Sequence, residues 1–427
     1  MKRTSAKRVA ALAGVAIGVV TLPTTSSAVA GIHAKLNGLI QEFDRSERGF
    51  ENEELESFYE AEGFQAYLDD YPVGPLANGY RWEPGKGTSF TGPVSGLDIK
   101  APFTDYIPVE KGAVLNEDET YRIGFAYHGS NHPWLVSLAD TAVWEANRHP
   151  NVDIEVRDAT FSDSRMGQFI DTWITKDFDA IVLWPARKAP MGPPVDRAEE
   201  AGIPVVSLDR RTASDKISTE VLGNFYANGL QQGLFLNHAR GGAGAMILNR
   251  KPLGSTADAI RTGAFLEAIG DQDYTILESY HTNSQRKQAF ETTRNALQSY
   301  DDLDTIFNTG GEEALGALDA AIEAGRLHGD SDEKLTILAN DDSREVLQMV
   351  AAGKIDMVAP YTPLIGDIGV RVAIKHIGAQ AGLNAAPPAQ VLTPNLPMIT
   401  AEEMTIHGIE TLTPEEWDYA YGPSPTN

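Results

Sequence analysis

The 427-residue chain contains no cysteine. That absence excludes a disulfide framework, a thiolate metal site and a tether to a membrane through a lipidated cysteine. Basic residues are scarce as well: 35 Lys and Arg stand against 60 Asp and Glu, a formal charge of −25. Such a surface repels nucleic acid and anionic membranes, so neither is expected as a partner. No apolar run beyond the N-terminus is long enough to cross a bilayer. There is no Gly-x-Ser-x-Gly elbow, no His-Glu-x-x-His zinc helix and no Walker loop. No enzyme activity and no cofactor are therefore expected.

What is present begins with an export signal. Lys2, Arg3, Lys7 and Arg8 form a basic start, residues 9–22 an apolar run and Ala28-Val29-Ala30 a small-residue cleavage site. The run is interrupted by Gly and Ala and falls short of the roughly 20 residues a spanning helix needs. A cleaved signal over residues 1–30 is expected, and the periplasm is the simplest address for a monomer without a lipid anchor.

Residues 31–117 form an extension unlike the rest of the chain. It is acidic and helix-like over 51–70, then rich in Gly, Pro and aromatics over 71–103 without steady periodicity. Within 54–70, Leu55, Phe58, Tyr59, Phe64, Tyr67 and Leu68 recur at helical spacing and give an apolar stripe, which predicts docking onto the protein's own body. From Tyr121 onward, buried-type strands alternate with helices: strands at 121–126, 153–158, 180–184 and 204–208 are followed by a second run at 245–249, 275–280, 305–308, 335–339 and 357–360. The pattern predicts an α/β protein of two Rossmann-like lobes, each a parallel sheet flanked by helices.

In open parallel sheets, ligands bind beyond the carboxyl ends of the strands, so the residues there are the first candidates. After the first strand stand His132, Pro133 and Trp134; a tryptophan face could stack on a sugar ring, although Trp134 also suits a core. Trp184 ends an apolar strand and fits a core residue as well as a ligand contact. Asp209 and Arg210 follow the fourth strand; they suit a surface salt bridge or a buried pair that bonds vicinal hydroxyls, and the strand end favours the second. Arg261 lies on the predicted helix over 257–269. Asp341 and Asp342 close a strand, one placed to accept from hydroxyls and the other to cap the next helix. The acidic run at 329–333 lacks EF-hand spacing and reads as a solvated turn, so no metal is expected.

Read together, residues 131–138, 202–210 and 314–318 resemble the type I periplasmic binding proteins of the ribose- and galactose-binding sort, over about two thirds of the chain. The resemblance implies a three-segment hinge and ligand contacts at His132, Trp134, Leu135, Trp184, Asp209, Arg210, Arg261, Asn308, Asp341 and Tyr361. It also implies a division into 118–224 with 361–393 as the N-terminal lobe and 225–360 with 394–427 as the C-terminal lobe and tail. Ribose-type members carry Asn-Asp before the Ala-Leu-Gly helix; here Gly310-Gly311 stand there, which leaves the ligand open.

The implied function is capture of a sugar, polyol or related small polar ligand and its delivery to an inner-membrane ABC permease. The extension, similar at 64–72 to a segment of the autoinducer-2 receptor, keeps a second reading open: signalling through a sensor kinase. A sugar-responsive repressor shares the fold but needs a basic helix-turn-helix where this chain has an export signal and acidic residues.

Overall fold

The computed structural model describes residues 35–40, 42–43, 49–71, 88–104, 106–109, 115–116, 118–327 and 334–423. The expected export signal and the acidic run at 329–333 lie outside these residues.

The extension opens with helix α1 (35–40), followed by α2 (Glu53–Glu62) and α3 (Phe64–Asp69). Asn52 starts α2 because its side-chain oxygen accepts the N–H groups of Glu54 and Leu55, both at 3.1 Å. Glu53, Glu54 and Glu56 then suit the positive end of the helix. The apolar spacing over 54–70 predicts helix without a marked break. Instead Gly63, at φ +67°, breaks it, since a left-handed turn costs glycine nothing. The segment without periodicity contains a hairpin, β1 (Thr88–Thr91) with β2 (Asp98–Ala101). Its strands have four residues each and β1 is largely exposed, too little burial to leave an alternating pattern.

The first lobe is laid down by β3 (Tyr121–Tyr127), α4 (Pro133–Ala146), β4 (Val152–Asp158), α5 (Asp163–Thr175), β5 (Ala180–Leu183), α6 (Gly192–Glu200), β6 (Val205–Leu208) and β7 (Thr219–Leu222). Strands β5 and β6 are buried at every residue, as a parallel sheet covered on both faces requires. β7 escaped the apolar pattern because it holds Glu220, whose buried carboxylate is paired by Arg211 Nε at 2.8 Å.

The second lobe repeats the scheme with α7 (Phe225–Arg240), β8 (Ala243–Arg250), α8 (Thr256–Ile269), β9 (Asp273–His281), α9 (Arg286–Ser299), β10 (Leu303–Asn308), α10 (Gly311–Glu323), β11 (Thr336–Asn340), α11 (Arg344–Ala351) and β12 (Met357–Ala359). Helix α12 (Gly366–Gln380) and strand β13 (Gln390–Leu392) return to the first lobe, and β14 (Ile399–Thr400) to the second. A small hairpin, β15 (Thr405–Ile406) with β16 (Ile409–Glu410), follows.

The sheets run β13-β7-β6-β5-β3-β4 and β14-β12-β11-β10-β8-β9. All pairings within them are parallel except β12 with β14. The core of each is the doubly wound order in which the chain reverses direction beside its first strand. The chain passes between sheets after β7, after β12 and after β13. The α/β fold of two lobes joined by three crossings is thus the one the sequence predicts.

The extension docks on both lobes. On the second, Tyr59 donates to Glu267 at 2.7 Å and Glu62 pairs with Arg250 at 2.7 Å. On the first, Asp70 pairs with Lys188 and Arg211, both at 2.9 Å, and Phe90 stacks on Trp144 at 4.9 Å. Among the described residues no helix is long and apolar enough to cross a membrane.

Candidate functional site

The strand ends of the two lobes face one another around Tyr361. After β3, His132 caps α4 by accepting the N–H of Trp134 on Nδ1 at 3.2 Å, and Pro133 takes the first helical position, where no N–H is needed. Trp134 then donates from Nε1 to the carbonyl of Tyr361 at 3.0 Å. The two rings lie nearly parallel, 10° apart with centroids at 6.0 Å.

The lobes contribute matching aspartates. Asp209 follows β6 and Asp341 follows β11, and both adopt left-handed backbone, φ +67° and +68°. Each N–H bonds to the next strand, Asp209 to Val221 at 2.8 Å and Asp341 to Ala359 at 3.2 Å. Aspartate tolerates this conformation better than most residues, and strain of this kind collects at functional sites. Trp184 Nε1 donates to Asp209 at 2.7 Å, Tyr361 donates its hydroxyl to the other oxygen at 2.6 Å, and Arg210 approaches at 3.3 Å while lying over the Trp184 ring. Asp341 accepts from Arg261 at 2.9 Å.

Arg261 links the two halves. Its guanidinium sits 4.8 Å over the Tyr361 ring and 5.2 Å from that of Phe225, and it donates to the carbonyl of Thr309 at 2.6 Å. Two glycines make this packing possible. A Cβ on Gly223 would come within 2.1 Å of the Tyr361 hydroxyl, and one on Gly229 within 2.0 Å of the Arg261 carbonyl. A small cavity between the hinge crossings, lined by Asn224, Asn228, Thr393 and Asn395, shares Tyr361 with this cluster.

Burial works against the Asp341 carboxylate, but Arg261 and Lys251 outweigh it and hold its pKa below the ordinary value. Asp342 is pushed by burial up to about 7, against the donors Trp417 and Tyr361. His132 is lowered to about 4 by burial and then by Lys251 and Arg210, with Asp341 opposing. It is therefore a neutral cap near pH 7. Because its folded pKa lies below its unfolded value, the unfolded chain binds the extra proton between about pH 6.5 and 4, and stability falls as pH drops through that window. His132→Asn, which keeps a capping side chain, is expected to flatten this part of the stability–pH curve. Chemical denaturation from pH 4 to 7 checks it; an unchanged slope would contradict it.

Of the residues singled out in the sequence, His132, Trp134, Trp184, Asp209, Arg210, Arg261, Asp341 and Tyr361 come together here. Leu135 lies beside them at the start of α4, buried in the apolar core. Asn308 does not join them. Its side chain is consumed within the sheet, donating to the Leu338 carbonyl at 2.9 Å and accepting from Asn249 at 3.0 Å. Neither Asp341 nor Asp342 caps the next helix: Ser343 does, and Asp342 accepts from Trp417 at 2.7 Å and from the Tyr361 N–H at 3.2 Å. Trp134 has one face against Tyr361, so only its other face can serve a ligand.

Sequence reasoning missed Lys251, Glu313 and Trp417. Lys251 follows β8 directly and obeys the strand-end rule already applied elsewhere. Trp417 sits in an irregular tail that offers no periodicity.

Two lobes with a polar, aromatic-lined junction can be compared with known proteins. Residues 123–381 match the model of a periplasmic binding protein domain. The chain belongs to this family. Its relatives include the ribose import binding protein of Bacillus subtilis, 23% identical over 254 residues, 59% of this chain and 80% of that protein. The Haemophilus influenzae ribose import binding protein is 26% identical over 254 residues, 59% of this chain and 84% of that one.

Among solved structures, the binding component of the arabinose ABC transporter from Shewanella sp. ANA-3 aligns with a TM-score of 0.60 at 23% identity, covering 66% of this chain and 92% of that one. A solute binding protein from Bacillus halodurans with bound myo-inositol gives 0.61 at 20%, covering 67% and 96%. At these identities the structural likeness shows the fold. These relatives are binding proteins rather than enzymes, and the match to the family begins after the N-terminal extension.

Proposed function

We propose that this periplasmic binding protein captures a sugar, polyol or related small polar ligand and delivers it to an inner-membrane ABC importer, acting as a monomer in the periplasm. The lobes that close are 118–224 with 361–393 and 225–360 with 394–427. The observation that carries the reading is the cluster in which Asp209 and Arg210 of one lobe meet Arg261 and Asp341 of the other around Tyr361. Paired carboxylates and guanidinium groups suit a molecule whose hydroxyls both donate and accept, and a tryptophan face suits its C–H faces. A ligand that bonds to both lobes favours the closed form by its differential affinity.

Relatives named as ribose import binding proteins support transport, and they do not favour the sensor-kinase alternative. A thermal-shift screen of pentoses, hexoses, inositols and linear polyols tests the reading. A true ligand at 100 times its dissociation constant adds about 2.7 kcal/mol of stability. A raised melting point with at least one member of the panel is expected; a panel that shifts nothing would overturn it.

A further inference from the structure

Among the described residues, Lys251 has only long contacts for its charge in the cleft. It is 8% exposed, and its backbone is fixed, the N–H donating to Asp258 at 3.0 Å and the carbonyl accepting from His281 at 2.7 Å. Among the described residues its ammonium, with three donors, finds only Asp341 Oδ2 at 3.5 Å and Glu313 Oε1 at 3.9 Å. Arg261 holds the other Asp341 oxygen, Oδ1, at 2.9 Å. A buried ammonium with long contacts costs free energy unless another acceptor reaches it.

The space around this group is made by a glycine. A Cβ on Gly310 would lie 2.6 Å from the ammonium and 2.4 Å from Glu313 Oε2. Gly310 is also the N-cap of α10 and offers no side-chain cap, so the positive end of that helix opens toward the same place. Glu313 Oε1 is buried with no hydrogen-bond partner among the described residues. Burial pushes the Glu313 pKa up, with Lys251 opposing.

We propose that Lys251, beside the uncapped start of α10, receives a carboxylate of the ligand, so that the sugar or polyol bound in this cleft is a sugar acid. This rests on the binding reading above.

Isothermal titration of the intact protein tests the inference with matched pairs: D-galacturonate with D-galactose, D-glucuronate with D-glucose and D-gluconate with D-sorbitol, plus D-glucose 6-phosphate. At least one acid is expected to bind about tenfold or more tighter than its neutral partner, the difference a charged hydrogen bond makes. Lys251→Met should erase that preference, and Gly310→Ala, which crowds the ammonium, should weaken it if the first variant does not fold. Equal or tighter binding of the neutral partners, preference for the phosphate, or a preference that survives Lys251→Met would overturn it. If a neutral sugar or polyol binds and no acid does, the inference fails and the binding reading stands. If neither class binds, the binding reading itself fails.

Discussion

Replacing Arg371 with methionine is expected to destabilise the protein by about 3–5 kcal/mol, the cost of removing one partner from a buried charge network. Arg371 lies on α12, 1% exposed, and its guanidinium bonds to Glu145 at 2.8 Å and Asp367 at 3.0 Å. It also donates to the carbonyls of Tyr106 at 3.0 Å and Phe103 at 2.8 Å, which anchor the extension to the first lobe. Glu145 would retain His149 and Arg148, but Asp367 has no other cation among the described residues; burial already raises its pKa despite Arg371. Replacing Asp367 with leucine in the same chain should recover part of the loss, because the uncompensated charge is then gone. Urea unfolding at pH 7 measures both. A loss under about 1 kcal/mol would mean that the network contributes no more than an exposed ion pair.

Arg261→Met is expected to weaken ligand binding by about 100-fold or more while the chain remains folded. Truncating one partner of a buried, hydrogen-bonded charge pair at an interface costs about 2–5 kcal/mol, and each 1.4 kcal/mol is about tenfold in affinity. Arg261 does more than pair with Asp341. It lies over Tyr361, whose hydroxyl bonds to Asp209 of the other lobe, so its loss loosens both halves of the junction. Titration calorimetry with whichever compound the screen identifies, alongside circular dichroism, gives the result. Affinity within about threefold of wild type would remove Arg261 from the binding set.

The fold was legible because buried parallel strands such as β5, Ala-Ile-Val-Leu, stand out as short apolar runs between helices. β7 was not, since a paired glutamate occupies its middle and hides the apolar signal. The strand-end rule located Asp209, Asp341 and Trp134. It could not anticipate that Asn308, also at a strand end, would turn its amide into the sheet, because that depends on Asn249 and the Leu338 carbonyl on neighbouring strands. Gly63 was visible as a residue, but its left-handed turn reflects how α2 and α3 each find the surface of the second lobe, where a Cβ on Gly263 would already lie 3.1 Å from Phe64. Long-range contacts of this sort have no local trace.

A crystal structure of the protein with the compound that most raises its melting point gives the most direct test. The ligand is expected between the lobes, hydrogen-bonded to Asp209 or Arg210 on one side and to Arg261 or Asp341 on the other, with a tryptophan face against it. A ligand seated outside the interlobe cleft, or held by one lobe alone with these four side chains unengaged, would contradict capture by closure.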